Sequence, residues 1–273
     1  MPEGWMSDPK RLKEAGVSKG VKFQTKPQMA LEMLQEATKA GVPYRWVTGD
    51  CAYGDYRSIR QWLEKSGKCY VLCVSAKEYV WKDSVKVTVG SVLKNLPEDG
   101  WFEALLMQVC HELHMNWRSY LFMCGDGSKG ARLYDWTFPE IESDWRPAFF
   151  GEAPEGWKRV MLVRRSQSDH GDMQAYMCYA PKDTPNEKLV EVAGTRWTVE
   201  TCFRESKSEV GMDQYEVRSY DGWYRNITFA CLAIALFTVV SASCSGFDGK
   251  TMQQHEPDTC TLDEFKKKRF LRV

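Results

Sequence analysis

Apolar positions along this chain change their period twice. From Ala30 to Ala37 they recur at helical spacing, at Ala30, Leu31, Leu34 and Ala37. Pro27 suits the first turn of that segment and Gly41 suits its stop, so an amphipathic helix is predicted over "QMALEMLQEATKAG". "YRWVTGD" then reads as a short strand ending at Gly49-Asp50. In "DYRSIRQWLEKSG" the residues Ile59, Trp62 and Leu63 form one apolar stripe, and Gly67 closes a second helix. "CYVLCVS" is a continuous apolar run, the mark of a strand buried on both faces. The order is helix, strand, helix, strand. A crossover of this length between two strands implies a parallel pair. Asp50 falls at the carboxyl end of the first strand, where open α/β sheets place their chemistry.

From about Ala76 to Lys182 the period becomes two. Short alternating segments ("VKVTV", "ARLYDWTF", "KRVMLVRR", "MQAYMCYA"), broken by Gly and Pro turns, predict a mostly antiparallel, β-rich insertion. Helix then returns. Thr184-Pro185-Asn186-Glu187 reads as a capping box with Pro at the first helical position. Gly194 is expected to interrupt or kink this helix before Arg196, and Gly211 to end it. A last long helix is predicted from about Asp221 to Ser243. Its apolar run, Phe229 to Val240, falls short of the roughly 20 residues a bilayer requires, and it reads as a buried core helix. The expected division is 1–75, 76–183, 184–245 and a divergent tail, 246–273, that ends in "KKKRFLRV".

Charge changes this picture little. Among 273 residues, 37 Lys and Arg balance 37 Asp and Glu, so no global field draws the chain to DNA or membrane. A local patch can still suffice for nucleic acid. The ten Cys are spread singly, with no CxxC pair and no apolar leader in "MPEGWMSDPKRLKEAG". Reduced thiols in a cytoplasmic protein, several buried as small hydrophobes, are the expectation.

Candidate chemistry concentrates in "RWTVETCFRESK". Arg196, Glu200 and Lys207 are spaced by four and then seven residues, which puts a cation, a carboxylate and a cation on one helix face. Ordinary helix salt bridges explain such a row at a few tenths of a kcal/mol. The following "GMDQYEVRSYDGWYRNITFA" packs Tyr215, Arg218, Tyr220, Trp223, Tyr224 and Arg225 together. Rings that stack and guanidinium groups that meet phosphates make a nucleic-acid surface. A structural aromatic cluster fits the same composition. Asp50 likewise reads as a turn or cap residue, or as one of two carboxylates converging with Glu200 on Mg²⁺ for phosphoryl transfer. "CHELHM" places His111 and His114 three apart, which is not zinc-protease spacing, and "CGDGSKG" lacks the P-loop pattern. Cys69 and Cys73 are expected to share a buried strand face.

"RWVTGDCAYGDYRSIRQWLEKSGKCYVLCV", together with "AGTRWTVETCFRESKSEVGMDQYEVRSYDGWYRNITFACLAIALF", resembles the insertion-sequence DDE transposases. The nearest branch is the DDE superfamily endonucleases of the IS-seven-oh-one type, and the resemblance runs from about Pro2 to Ser243. The family motif is Tyr, two residues, Arg, three residues, Glu, six residues, Lys. Arg196, Glu200 and Lys207 fit it, and the Tyr position falls on Ala193. The resemblance implies a ribonuclease-H-like α/β fold with a β-rich insertion before the catalytic Glu. It makes Asp50 the second acid of the triad and Glu200 the third, both ligands of a two-metal Mg²⁺ site. It makes Arg196, Lys207, Arg218, Trp223, Tyr224 and Arg225 the contacts to transposon-end DNA. The implied partners are that DNA and a second copy or a full-length transposase, with no membrane. The family's first Asp lies in an upstream block that has no counterpart here. The fold is therefore expected to be incomplete, an insertion is expected around Leu105 to Met123, and the chain alone is expected not to cleave DNA.

Overall fold

Thr25 starts the first long helix. Its hydroxyl accepts from the Gln28 N–H and its own N–H donates to the Gln28 side chain, with Pro27 in the first turn. The computed structural model describes residue 4 and residues 7–98, 101–104, 134–141, 153–216 and 218–245. A short helix α1 (Pro9–Glu14) precedes the capped helix α2 (Lys26–Lys39). Gly41, at φ 73°, turns the chain out of α2. Strand β1 (Trp46–Gly49), the single turn α3 (Cys51–Gly54), helix α4 (Arg57–Lys65) and strand β2 (Cys69–Val74) follow. Next come the hairpin β3 (Tyr79–Lys82) and β4 (Val85–Thr88), helix α5 (Val89–Lys94), and strands β5 (Phe102–Ala104) and β6 (Tyr134–Thr137). The long strands β7 (Trp157–Ser166) and β8 (Met173–Pro181) lead to helices α6 (Asn186–Thr195), α7 (Trp197–Val210) and α8 (Tyr220–Ser245).

Six strands make one mixed sheet in the order β1-β2-β8-β7-β6-β5. β1 and β2 are parallel, with Trp46 opposite Cys69 and Gly49 opposite Leu72. Every other pairing in the sheet is antiparallel. Of the alternating segments expected as an insertion, those in β6, β7 and β8 continue the same sheet outward from β2, while "VKVTV" supplies β4 of the separate two-stranded β3–β4 hairpin.

Successive residues of β2 point to opposite faces. Tyr70, Leu72 and Val74 join Ile59 and Leu63 of α4, Val89 and Val92 of α5, and Met161, Val163 and Met177 of the long strands. Val71 and Cys73 join Leu162, Tyr176 and Cys178, covered by Leu189, Val190, Val192 and Ala193 of α6. All six residues of β2 are buried, as its unbroken apolar run predicts. Within the first of these cores lies an ion pair. Arg159 Nη2 is 2.6 Å from Glu64 Oε2, with the two side chains 1% and 8% exposed. The Tyr70 hydroxyl donates to Glu64 Oε1 at 2.7 Å. Burial, and then the Glu64 carboxylate, push that phenol well above its usual range, so it stays a donor. This network ties α4 to the middle of the sheet.

Three expectations need correction. Thr184 does not cap α6: the helix begins at Asn186, its N-cap is Pro185, and no side chain caps it. The Thr184 N–H bonds Pro181 O and its carbonyl accepts from Lys158 Nζ, which holds it in the turn leaving β8. Gly194 does not break the helix but lies buried inside α6, and the break falls at Arg196, between α6 and α7. The last helix is not a buried core helix among the described residues. Phe229, Leu232, Leu236 and Val239 are each about three-fifths exposed, and Ala230 is buried. By length and composition Tyr220–Val240 could cross a membrane, since the apolar run measured only the middle of the helix. One such helix is weak ground for a span, and the Tyr220 N–H is bonded to Ala15 O beside α1. His111, His114, the Leu105–Met123 insertion, the "CGDGSKG" turn and the 246–273 tail lie outside the described residues.

The ion pair yields a test. Arg159→Met should lower the free energy of unfolding by about 3–5 kcal/mol, because it leaves the Glu64 charge buried without its partner. Adding Glu64→Gln should restore part of that loss. Urea denaturation reads both, and a single variant that unfolds like the parent would show that the pair holds nothing.

Candidate active site at the carboxyl end of the parallel strands

Asp50 leaves β1 in an extended conformation and caps α3. Its Oδ1 accepts from the Ala52 N–H at 2.9 Å, and its carbonyl accepts from the N–H groups of Tyr53 and Gly54 at 3.1 and 2.9 Å. The cap reading of Asp50 is thus seen directly. The turn it caps is fixed to the end of β2 by two further features. A Cβ added at Gly54 would lie 1.8 Å from the Cys73 carbonyl oxygen, so α3 rests on the strand backbone only because residue 54 has no side chain. Next to it, Asp55 Oδ1 accepts from the Ser75 N–H at 2.9 Å. Asp50 is exposed, and its position is determined by this anchored turn.

Arg196 reaches the same end from α6. That helix packs on the second core, beneath β1 and β2, and the chain bends at Arg196 into α7. Arg196 Nη2 is 3.5 Å from Glu200 Oε1, so the plain salt-bridge reading of that spacing is also seen. The thiol of Cys73 senses both sides of the site. Burial, with Cys51 and Asp50, pushes it up to about 12, while Arg196 and Arg164 pull it down. Asp50, Cys51, Arg164 and Arg196 therefore stand around the end of β2.

Lys207 is exposed in the last turn of α7, eleven residues beyond Arg196, about 16 Å along a helix axis. Gly211, at φ 63°, ends α7 as expected. Arg218 and Arg225 are exposed, and Trp223 and Tyr224 are half-exposed. These rings also pack on one another: Trp223 meets Tyr224 edge-on at 5.1 Å, and Tyr220 lies 4.7 Å from Tyr224. The hydrogen bond between Tyr220 and Tyr224, then burial, pushes Tyr220 up to about 12. The aromatic run is thus a cluster with an exposed side, on α8.

Hard oxygen donors of the Asp50 and Glu200 kind suit Mg²⁺. Two metals about 4 Å apart need more of them. No group of three or more His, Cys, Asp or Glu side chains converges among the described residues. The described residues thus do not make a two-metal site by themselves. Sequence reasoning named Asp50, Glu200 and Arg196 but missed Gly54, Asp55, Cys73 and Arg164. The signal for the first two was present in "CAYGD": a glycine and an acid just after a strand end.

Thiol chemistry checks the anchoring of this turn. The thiolate is the reacting form, so at pH 8 the exposed Cys51 should alkylate readily, while Cys73, raised to about 12, should stay unlabelled until the chain unfolds. Gly54→Ala should lift α3, cost about 1–3 kcal/mol by overpacking, and speed Cys73 labelling in the folded state. Peptide mass mapping reads both rates, and equal labelling of Cys73 in parent and variant would count against the contact.

Comparison with known proteins adds a family. Residues 1–90 match a family model described as DDE superfamily endonuclease, a segment that runs from before α1 into α5 and includes Asp50. No curated protein matches the chain. The matched segment, about a third of the chain, is what the similarity covers.

Proposed function

We infer that this chain carries part of a DDE transposition centre, with Asp50 as its second acid and Glu200 as its third. The observation that carries this reading is Asp50 itself. It lies within the matched segment and is anchored at the carboxyl end of a parallel strand pair. Arg196, in contact with Glu200, comes to that same end. The reaction of the family is hydrolysis at a transposon end, followed by attack of the freed 3′ hydroxyl on target DNA. Mg²⁺, when bound, would activate the attacking oxygen and stabilise the leaving one.

The residues of this chain have narrower roles in that reading. Asp50 commits one carboxylate oxygen to the cap and retains the other for a hard cation. Arg196 trades Glu200 for a DNA phosphate when the end binds, which frees the Glu200 carboxylate to turn inward. A further acid donor, in this reading the family's first Asp, would arrive on a strand laid along the outer edge of β1. That edge has no neighbour among the described strands. Lys207, Arg218, Trp223, Tyr224 and Arg225 follow the DNA away from the centre. A second copy or a full-length transposase would be the protein partner.

One observation favours a second reading, in which the chain binds DNA or a transposase without catalysis. Both candidate carboxylates already have structural partners, Asp50 in a cap and Glu200 in an ion pair. Nicking of supercoiled DNA separates the two. The chain alone should convert no more plasmid in Mg²⁺ than an Asp50→Ala, Glu200→Ala double variant does. Mg²⁺-dependent nicking that disappears in each single variant would mean the centre is complete in this chain. On either reading, retention on DNA should fall with salt and weaken in Arg196→Ala, and salt-independent retention would count against both.

A further inference from the structure

We propose that the β3–β4 hairpin is a contact surface for the DNA backbone, held beside Asp50 at the same end of the sheet. The proposal rests on the DNA reading above and adds a surface which that reading does not contain.

The chain is neutral overall, but the hairpin region is not. Between Lys77 and Lys94 there are four lysines, at 77, 82, 86 and 94, against Glu78 and Asp83. Glu78 is already neutralised: its Oε1 lies 3.1 Å from Arg57 Nη2 and 3.2 Å from Arg60 Nη2. Lys77, Lys82 and Lys86 are exposed, with Asp83 the one acid among them on the hairpin.

The hairpin has an inner and an outer face. Val80 is fully buried and its cross-strand partner Val87 packs against the first core, so this face is fixed to the protein. Tyr79 pairs with Thr88 and Trp81 with Lys86, which places these four residues on the opposite face. There Tyr79 is about half exposed, and Lys86 Nζ stands 4.2 Å from the centre of its ring. An ammonium held over an exposed ring offers a charge to a phosphate and a flat surface to a sugar or base.

Placement ties this surface to the candidate site. The Ser75 N–H that bonds Asp55 is the first residue after β2, and the hairpin grows from that point. Its base is closed by Glu78 N–H to Ser75 O, Val89 N–H to Glu78 O and Gly90 N–H to Ala76 O. The tip is a two-residue turn with Asp83 at φ 51° and Ser84 at φ 63°. Such a turn matches the twist of its strands and sets Lys86 on the outer face, while Lys82, opposite Val85 and in phase with Val80, is exposed where the strand leaves the core at the tip. DNA lying across Asp50 would meet this hairpin at the rim of the sheet end.

Lysines on a small exposed hairpin also serve to prevent edge-to-edge association, and the salt dependence of DNA binding distinguishes the two roles. The full chain is titrated with a labelled duplex by fluorescence anisotropy over a series of KCl concentrations. Lys82→Gln and Lys86→Gln should each lower the slope of log affinity against log salt by about one, and together by about two. Lys82→Arg should keep the parent slope. Lys65→Gln, at the end of α4 beside the start of β2 and so at the opposite end of the sheet, should leave the slope unchanged. Circular dichroism melting of each variant confirms that these exposed changes leave the fold intact. If the double variant keeps the parent slope, or if Lys65→Gln lowers it as much, the hairpin proposal is overturned and the DNA reading stands. If the parent shows no salt-dependent binding, the DNA reading fails and takes the hairpin with it.

Discussion

A turn of helix lies directly on the backbone of β2 because residue 54 has no side chain, and the candidate chemistry depends on that approach. The turn α3 places Asp50, and its two anchors fall on Cys73 and Ser75 at the end of β2. β2 in turn is a stable platform because both of its faces are buried, one under α4 and α5 and the other under α6. The ion pair of Arg159 and Glu64, with Tyr70, holds the first of those layers in register with the sheet. Local chemistry at Asp50 is thus set by packing that reaches across three layers. A methyl group in the wrong place at residue 54 would move a carboxylate four residues away.

The sequence made some of this legible and hid the rest, for identifiable reasons. The parallel pair could be read because a connection long enough to hold a helix joins two strand-like runs, the second of them "CYVLCV". The bounds of α2 could be read because Pro27 in its first turn and Gly41 just past its end are local signals. The supposed cap at Thr184 was wrong for the opposite reason. Lys158, on a strand far away in sequence, holds the Thr184 carbonyl, and local pattern cannot see it. Gly194 looked like a helix breaker, yet in α6 it is buried among residues that pack on the sheet. Of the candidate site, Asp50, Arg196 and Glu200 are singled out by spacing and resemblance, and the chain places Arg196 against Glu200 and Asp50 in a cap. Gly54 was not singled out, because a close approach is a property of two segments and only one was in view.

The sheet has two different margins. On one side β2 continues through β8, β7, β6 and β5 in antiparallel register, so the alternating middle of the chain builds outward from the platform. On the other side β1 has four residues and no strand beyond it among the described residues. Asp50 sits on this open side. A carboxylate beside a sheet edge with no neighbour among the described strands can be joined by another strand in a way that one inside a closed sheet cannot. The arrangement concentrates the chemistry-bearing residues where another polypeptide could be added.

Helix α8 extends the same theme into the life of the protein. Its outward stripe of Phe229, Leu232, Leu236 and Val239 is the kind of surface that chaperones and proteases sample in any cell. A surface that covered the stripe would remove it from that sampling. Abundance would then follow the supply of the sheltering surface rather than the rate of synthesis. A protein built this way would be scarce when solitary and persistent in company.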